Sequence, residues 1–266
     1  MHQFNLKRLG QLIRKQWVEN TRLYLYSILA LFCMLSIVFM IWLFADGSNY
    51  DETSIPVMFF FGLFISGAVF ASTAFKSLES KNKGIYWLSF PASHLEKLLT
   101  AIFYNLIVFT VVYCACYYVV SKAAIAIVES MVRKQPSEYH FERIHWGNEQ
   151  QTRQIFIYLF YAFIAVQALY LLGSVYFKRF SFILTTIVLG LLFVGMIYYF
   201  QKLSESFPHN FYYRDGFIIA RIPGHLNPRR IEIPVFLKDS FLFLLKFIWA
   251  PVFWVAAWYR LKEKEI

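Results

Sequence analysis

Residues that could carry out catalysis are sparse in this chain of 266 residues. The sequence contains no G-x-x-x-x-G-K-[ST] phosphate loop, no H-E-x-x-H zinc motif and no G-x-S-x-G nucleophile motif. Its apolar blocks are nearly free of the ionisable side chains that pumps and intramembrane proteases carry within their spans. We therefore expect that the chain is not an enzyme and that it binds neither a nucleotide nor a metal ion by itself.

Lys246 is an ionisable residue inside an apolar block, beside Phe247 and Trp249. A charge at such a position is costly and often functional, which makes Lys246 a candidate intramembrane polar site. Its long stem also allows the ammonium to reach the polar edge near Lys238. We favour this snorkelling, or a pairing within the helical bundle, over a role in translocation.

A second polar group lies in the segment 121–154, where His140 and His145 flank Glu142, with Glu138 just before them. Imidazole and carboxylate groups of this kind can bind a divalent cation. Polar residues in a solvated loop more often bind nothing, so we predict no metal site here. The neighbouring stretch 123–132 is apolar enough to extend the preceding helix beyond the membrane.

The composition indicates a membrane protein, since 59% of residues are hydrophobic and only 16% are charged, against about 45–50% and 25% in soluble domains. Crossing the hydrocarbon layer takes about 20 apolar residues, and six blocks meet this requirement. The sequence therefore predicts an all-α polytopic membrane protein with six transmembrane helices. The predicted spans are Leu23–Phe44, Val57–Phe75, Leu98–Val120, Ile155–Phe177, Phe180–Phe200 and Ser240–Tyr259.

Lysine and arginine residues cluster on one side of the membrane if the six spans alternate in direction. The first connection lies on the other side and carries Asp46, Asp51 and Glu52 without a basic residue. The positive-inside rule then predicts that both termini are cytoplasmic; the long connections 121–154 and 201–239 also contain basic residues, but long loops obey the rule less strictly. We interpret the net charge of +10 as a topology signal and an attraction for anionic membrane lipids, not as a nucleic-acid-binding surface. The clustered basic residues are Lys7, Arg8, Arg14, Lys15, Arg22, Lys76, Lys81, Lys83, Lys97, Lys178, Arg179, Arg260, Lys262 and Lys264.

Residues 1–22 interleave apolar and basic side chains, among them Arg8, Arg14, Lys15 and Trp17. This pattern is typical of an amphipathic "elbow" helix lying in the membrane interface. The alternative is an ordinary amphipathic helix that packs on the rest of the protein.

Near the other end of the chain, two strand-like runs, 217–221 and 231–233, flank a turn-rich centre and predict a small extracytoplasmic hairpin between spans five and six.

The second connection, residues 76–97, contains a short aromatic segment between a glycine and a proline. Tyr86, Trp87, Leu88 and Phe90 form this segment, and Pro91 ends it. Aromatic anchors on the cytoplasmic side suit a docking segment that enters a groove of a partner protein. The alternative is an aromatic belt in the lipid interface, and the residues do not favour one interpretation over the other.

The helix that leads from this connection into span three has a recognisable start. Ser93 is followed three residues later by Glu96, which is the spacing of a capping box. We therefore predict that a new helix begins directly after Ser93.

The phrase WLSFPASHLEK, Trp87–Lys97, resembles the coupling-helix loop of type-two ABC exporter permeases, especially Bacteroidetes-like members. The order of elbow helix, six spans, cytoplasmic termini and an outer insertion between spans five and six is also similar to that family. The chain departs from the family in having Phe90 where a leucine often precedes the proline, and in the long connection 121–154.

The resemblance implies a permease subunit of an ATP-driven exporter in the bacterial cytoplasmic (inner) membrane. A separate ATPase subunit, carrying ATP and Mg²⁺, would bind the 76–97 loop and the elbow helix, and a second permease chain would complete the transport path. The residues that the resemblance assigns to docking are Tyr86, Trp87, Leu88, Phe90, Pro91, Ser93, Glu96 and Lys97.

A second hypothesis is a polytopic membrane scaffold or sensor partner that transports nothing. Its outer connections would bind a ligand or an envelope protein, and its cytoplasmic loop would bind a signalling protein. An ATPase gene next to this one would favour the transporter, whereas a kinase or biogenesis gene would favour the scaffold.

Overall fold

The chain is a helical protein with large apolar surfaces. The computed structural model describes residues 5–45, 49–76, 92–137, 139–142, 149–177, 179–206, 211–214, 217–220, 229–231 and 235–263. Five of its helices are long and apolar enough to cross a membrane. The fifth of them exposes Leu191, Leu192 and Phe193 by more than 60% each, which is the surface of a membrane-embedded helix and not of a soluble one.

The elements follow one another with short connections in the described parts of the chain. The helices are α1 (Leu6–Ala45), α2 (Ser54–Ser72), α3 (His94–Ile102), α4 (Phe109–Lys134), α5 (Glu149–Tyr176), α6 (Ser181–Ser206), α7 (Val235–Phe243) and α8 (Trp249–Glu263). Two π-helical segments, π1 (Phe103–Val108) and π2 (Leu244–Ile248), join α3 to α4 and α7 to α8. The strands are β1 (Asn49–Asp51), β2 (His140–Glu142), β3 (Phe211–Arg214), β4 (Phe217–Ala220) and β5 (Arg229–Ile231).

Each of the six predicted spans overlaps helix along most of its length, although predicted span two extends to Phe75 and α2 ends at Ser72. Five lie in the helices that are long and apolar enough to cross a membrane. The sixth lies in the consecutive segments α7, π2 and α8. The predicted tight turn between spans four and five is also present, because α5 ends at Tyr176 and α6 begins at Ser181. Phe180 makes this turn with a positive φ of 53°.

The N-terminal segment is helical as predicted, but it does not form a separate elbow helix over residues 1–22. α1 is one uninterrupted helix of 40 residues, about 60 Å long and about twice the hydrocarbon thickness. No glycine or proline interrupts the expected boundary, and Asn20 and Thr21 donate their side-chain hydrogen bonds back to the carbonyls of Gln16 and Trp17. Because these polar groups are satisfied within the helix, the helix continues into span one.

Several helix ends meet at one end of the bundle, which we call the basic end. The backbone N–H of Asn5, just before α1, donates to the side chain of Glu96 in α3. Phe75, Leu98, Val175 and Leu261 belong to one buried cluster, so the chain just after α2, the start of α3 and the ends of α5 and α8 lie together. The basic end therefore gathers both terminal helices and the two ends of the 76–97 connection, as the charge pattern predicted.

The first and third connections meet at the opposite end of the bundle. β1 pairs in parallel with β2, with Tyr50 opposite Phe141, and α4 extends to Lys134, as predicted for the third helix.

The predicted hairpin is present as well: β4 and β5 are antiparallel, with Ile218 opposite Ile231. β3 adds a third strand along β4, which the sequence pattern did not indicate.

Glycines allow the helices to approach closely. A Cβ on Gly67 of α2 would overlap the amide nitrogen of Gln167 in α5 and lie 2.8 Å from a ring carbon of Phe163. A Cβ on Gly173 would likewise overlap the hydroxyl of Thr185 in α6. Small residues at helix contacts are the usual means of close packing in membranes, where lipid removes the hydrophobic drive between helices.

We predict that Gly67→Ala destabilises the helical bundle, because the added methyl group must displace Gln167 and Phe163. Overpacking of this kind costs about 1–3 kcal/mol. The measurement is the apparent melting temperature of the protein in detergent. Gly67→Ala combined with Gln167→Ala should recover part of the loss, since the flexible amide is then gone.

Gly190→Ala and Gly195→Ala in α6 are the matched controls, since nothing lies within 4 Å of a Cβ at either position. Both should melt like the wild type or slightly higher, because alanine favours helix over glycine. Equal melting temperatures for Gly67→Ala and Gly190→Ala would show that α2 and α5 do not approach closely at Gly67.

Candidate docking site at the basic end

The 76–97 connection begins and ends in described structure. Tyr86, Trp87, Leu88, Phe90 and Pro91 lie outside the described residues. Lys76 and residues 92–97 are described, and they determine how the connection is held.

The predicted capping box at the start of α3 is confirmed. The Ser93 hydroxyl accepts a hydrogen bond from the backbone N–H of Glu96 at 3.2 Å. The Glu96 side chain accepts one from the backbone N–H of Ser93 at 2.9 Å. Two N–H groups that a helix start leaves unpaired are thereby satisfied, so the direction in which the connection enters α3 is determined.

The Glu96 carboxylate also binds the N-terminus of α1. Its Oε1 atom accepts a hydrogen bond from the backbone N–H of Asn5 at 2.8 Å and one from Nη2 of Arg8 at 3.2 Å. The side chain of Glu96 is fully buried, whereas Arg8 remains partly exposed. Hydrogen bonds to a charged acceptor are the strong ones, so one carboxylate joins the start of the chain to the exit of the 76–97 connection.

Aromatic side chains extend this contact along α1. Tyr104 of π1 donates its hydroxyl to the carbonyl of Ile13 at 2.8 Å, and its ring stacks on Tyr24 with centroids 5.4 Å apart. Tyr24 in turn stacks on Trp17 at 5.6 Å. The amphipathic part of α1 therefore packs on π1, at the start of the third predicted span, while its placement in the membrane interface stays a prediction.

The buried cluster beneath the connection links it to the last helices of the bundle. Phe75 comes just before the connection, and Leu98 comes just after it. Both pack with Leu171 of α5 and Leu261 of α8. We call Glu96, Arg8, Asn5 and this cluster the basic-end node. A displacement of the connection must be transmitted to these helices or must break their packing.

The predicted docking residues differ in accessibility. Glu96 is 0% exposed and Lys97 only 4%, so they face the interior and not a partner, contrary to the sequence-based assignment. The capping box and the contact with α1 occupy Glu96 completely. Ser93 likewise serves the helix start, and the partner-facing assignment is left to the aromatic segment outside the described residues.

The predicted elbow residues are distributed over different contacts. Arg8 pairs with Glu96, Lys15 pairs with Glu19 at 3.6 Å, and Arg14 is exposed. The importance of Arg8 was not evident from the sequence, since its partner is 88 residues away. The sequence did contain one usable signal. Glu96 is the third residue of α3, and the predicted topology places it on the same side of the membrane as the basic N-terminal segment.

Lys246 and the histidine group were the other candidate sites. The ammonium of Lys246 lies over the rings of Tyr158 and Tyr161, so the predicted pairing within the bundle is present. No cluster of metal-ligating residues occurs among the residues that the structure describes. Of the proposed histidine group, His140 is placed in β2, while Glu138 and His145 lie outside the described residues.

Comparisons with known proteins do not identify a family. No protein-family model, no curated protein and no solved structure matches this chain.

We predict that Glu96→Ala loosens the N-terminus of α1. The substitution leaves the N–H groups of Asn5 and Ser93 without their acceptor, and it removes the net contribution of hydrogen bonds to a charged group, about 1.5–3 kcal/mol each. Hydrogen exchange followed by mass spectrometry should show faster exchange in peptides covering residues 5–10 and 92–97.

Glu19→Ala is the matched control, because it removes a glutamate from an exposed ion pair with Lys15. Such a pair contributes about 0–1 kcal/mol, so exchange near residue 5 should not change. Unchanged protection of residues 5–10 in Glu96→Ala would contradict the bridging role of this carboxylate.

Proposed function

We propose that this chain is the transmembrane permease subunit of an ATP-driven ABC transporter, an exporter, in the bacterial cytoplasmic membrane. A separate ATPase subunit binds the aromatic segment of the 76–97 connection, and a second permease chain completes the transport path. The chain itself hydrolyses nothing, in keeping with the missing phosphate-loop motif.

The observation that supports this proposal best is the basic-end node. A transporter driven by an external motor needs a short segment that receives force and a rigid attachment from that segment to several spans. The 76–97 connection is attached at its exit to α1 through Glu96. At both its ends it is attached to α5 and α8 through the buried cluster.

The mechanism follows from this attachment. ATP-driven closure of the ATPase pair pushes the aromatic segment, and the node passes the displacement to α1, α3, α5 and α8. Packed interiors shift between discrete arrangements and do not deform continuously. The spans therefore tilt as units between inward-open and outward-open states.

The second candidate function is a membrane scaffold or sensor partner. The opposite end of the bundle favours it in one respect, because an open surface depression of about 500 Å³ lies there, lined by Tyr50, Asp51, Tyr139 and His140 among others. A ligand of an outer sensor would bind at such a place. A protein that only binds a ligand or a partner has no evident need for the basic-end node, which links one connection to several helices.

We predict that Trp87→Ala reduces the amount of ATPase that co-purifies with this chain in mild detergent by about tenfold or more. Replacing a tryptophan at the centre of an interface with alanine commonly weakens binding by at least this factor. Mass spectrometry of the affinity-purified complex identifies the partner through its phosphate-loop sequence, and transport or ATPase stimulation should fall in parallel.

Trp249→Ala is the matched control, since Trp249 is an exposed tryptophan near the opposite end. It should retain the ATPase at the wild-type level. Full retention by Trp87→Ala, or co-purification of a kinase or an assembly factor in place of an ATPase, would reject the transporter proposal in favour of the scaffold.

We predict that the 76–97 connection faces the cytoplasm and the first connection faces the opposite compartment. The test replaces Cys33, Cys114 and Cys116 and then introduces Ser80→Cys or Ser48→Cys. A membrane-impermeant maleimide added to intact cells should label Ser48→Cys, and it should label Ser80→Cys only after permeabilisation. The reverse labelling pattern would place the docking segment out of reach of any ATPase.

A further inference from the structure

Lys246 lies in the middle of π2, within the apolar helical segment that α7, π2 and α8 form together. Its Nζ atom is 5.2 Å from the ring centre of Tyr158 and 5.6 Å from that of Tyr161, both in α5. Lys246 is about 25 Å along the helix from the end of α8 at the basic end. In a hydrocarbon layer of about 30 Å, this position corresponds to the monolayer at the opposite end of the bundle.

The charge of Lys246 is only partly compensated. The described ion pairs are Arg8–Glu96, Lys15–Glu19 and Arg260–Glu263, and none of them includes this ammonium. Two ring faces attract a cation, but they offer its three N–H donors no oxygen acceptor, as an anion would. A lysine within an apolar span therefore still gains from an anionic partner.

Two other cations over aromatic rings, in the described part of the chain, show the difference. Arg260 lies over a tyrosine ring but also pairs with the carboxylate of Glu263 at 2.6 Å. Lys122 lies over the ring of Tyr118 but is exposed beyond the predicted third span. Lys246 is half-buried and has neither arrangement.

The surroundings of Lys246 indicate what kind of anion can reach it. Phe247 and Trp249 next to it, and Ile157 and Phe160 on the facing stretch of α5, are large apolar side chains that are exposed. In a membrane these side chains contact acyl chains. An occupant must therefore combine an anionic head with apolar tails, whereas a soluble anion would have to leave water to cross this apolar rim.

The local backbone is also unusual. The chain adopts a π-helical turn over Leu244–Ile248, and single π turns within α-helices are frequent at functional sites. Tyr158 and Tyr161 are three residues apart and therefore share one face of α5. Each carries a phenolic hydroxyl that can donate to an anion.

We propose that Lys246, Tyr158 and Tyr161 bind the headgroup phosphate of an anionic phospholipid from the monolayer at the opposite end. The ammonium supplies the charge, the two hydroxyls supply further donors, and the exposed apolar side chains hold the acyl chains. This site does not depend on the transporter assignment, because it requires only that the chain is embedded in a bilayer.

The test compares lipid retention by the full-length protein in nanodiscs of phosphatidylcholine with and without phosphatidylglycerol. Native mass spectrometry after release counts the phosphatidylglycerol molecules that stay bound. Lys246→Gln should bind phosphatidylglycerol about tenfold more weakly than the wild type, which corresponds to the loss of one charge-assisted contact. Lys246→Arg should retain it.

The control is Lys122→Gln, which removes a cation over a tyrosine ring outside the predicted spans; it should retain phosphatidylglycerol like the wild type. The double variant Tyr158→Phe with Tyr161→Phe keeps both rings and removes both hydroxyls, so it should lose part of the affinity even if Lys246→Gln fails to fold. Equal retention by the wild type and by these variants would overturn the proposal. Displacement of the lipid by inorganic phosphate alone would overturn the lipid assignment, because it would show that the acyl chains contribute nothing.

Discussion

A carboxylate that is removed from solvent requires hydrogen-bond donors around it, and Glu96 obtains them from three groups. The N–H of Asn5 and the guanidinium of Arg8 come from the start of α1, and the N–H of Ser93 comes from the start of α3. Leaving such a group unpaired costs more than any one of these contacts contributes. The N-terminus of the chain and the exit of the 76–97 connection are therefore held together by one side chain.

This constraint explains how the short 76–97 connection can be coupled to helices that are distant in sequence. Phe75 before the connection and Leu98 after it pack with the ends of α5 and α8. Tyr104 continues the contact through its hydrogen bond to Ile13 of α1. The two described ends of the 76–97 connection thus belong to a node that is shared by helices distant in sequence.

The interior of the bundle follows a different principle, because lipid offers no hydrophobic drive for helix association. In this protein, glycines instead allow neighbouring helices to approach closely: Gly67 leaves room for Gln167, and Gly173 leaves room for Thr185. Close approach increases dispersion contacts and brings polar side chains against a neighbouring helix. The charge of Lys246 is also accommodated within the bundle, because its ammonium lies over the rings of two tyrosines of α5.

The sequence by itself determined the helical, membrane-protein character of the chain, the positions of the six apolar helical segments, the capping box at Ser93 and the hairpin of β4 and β5. These features depend on residues near one another along the chain, and their signals are therefore local. Only the tertiary structure decided that α1 runs unbroken into span one, that Glu96 faces inward, and that Lys246 lies over α5. Arg8 and Glu96 are 88 residues apart, and no local pattern specifies which distant donor will satisfy a buried carboxylate.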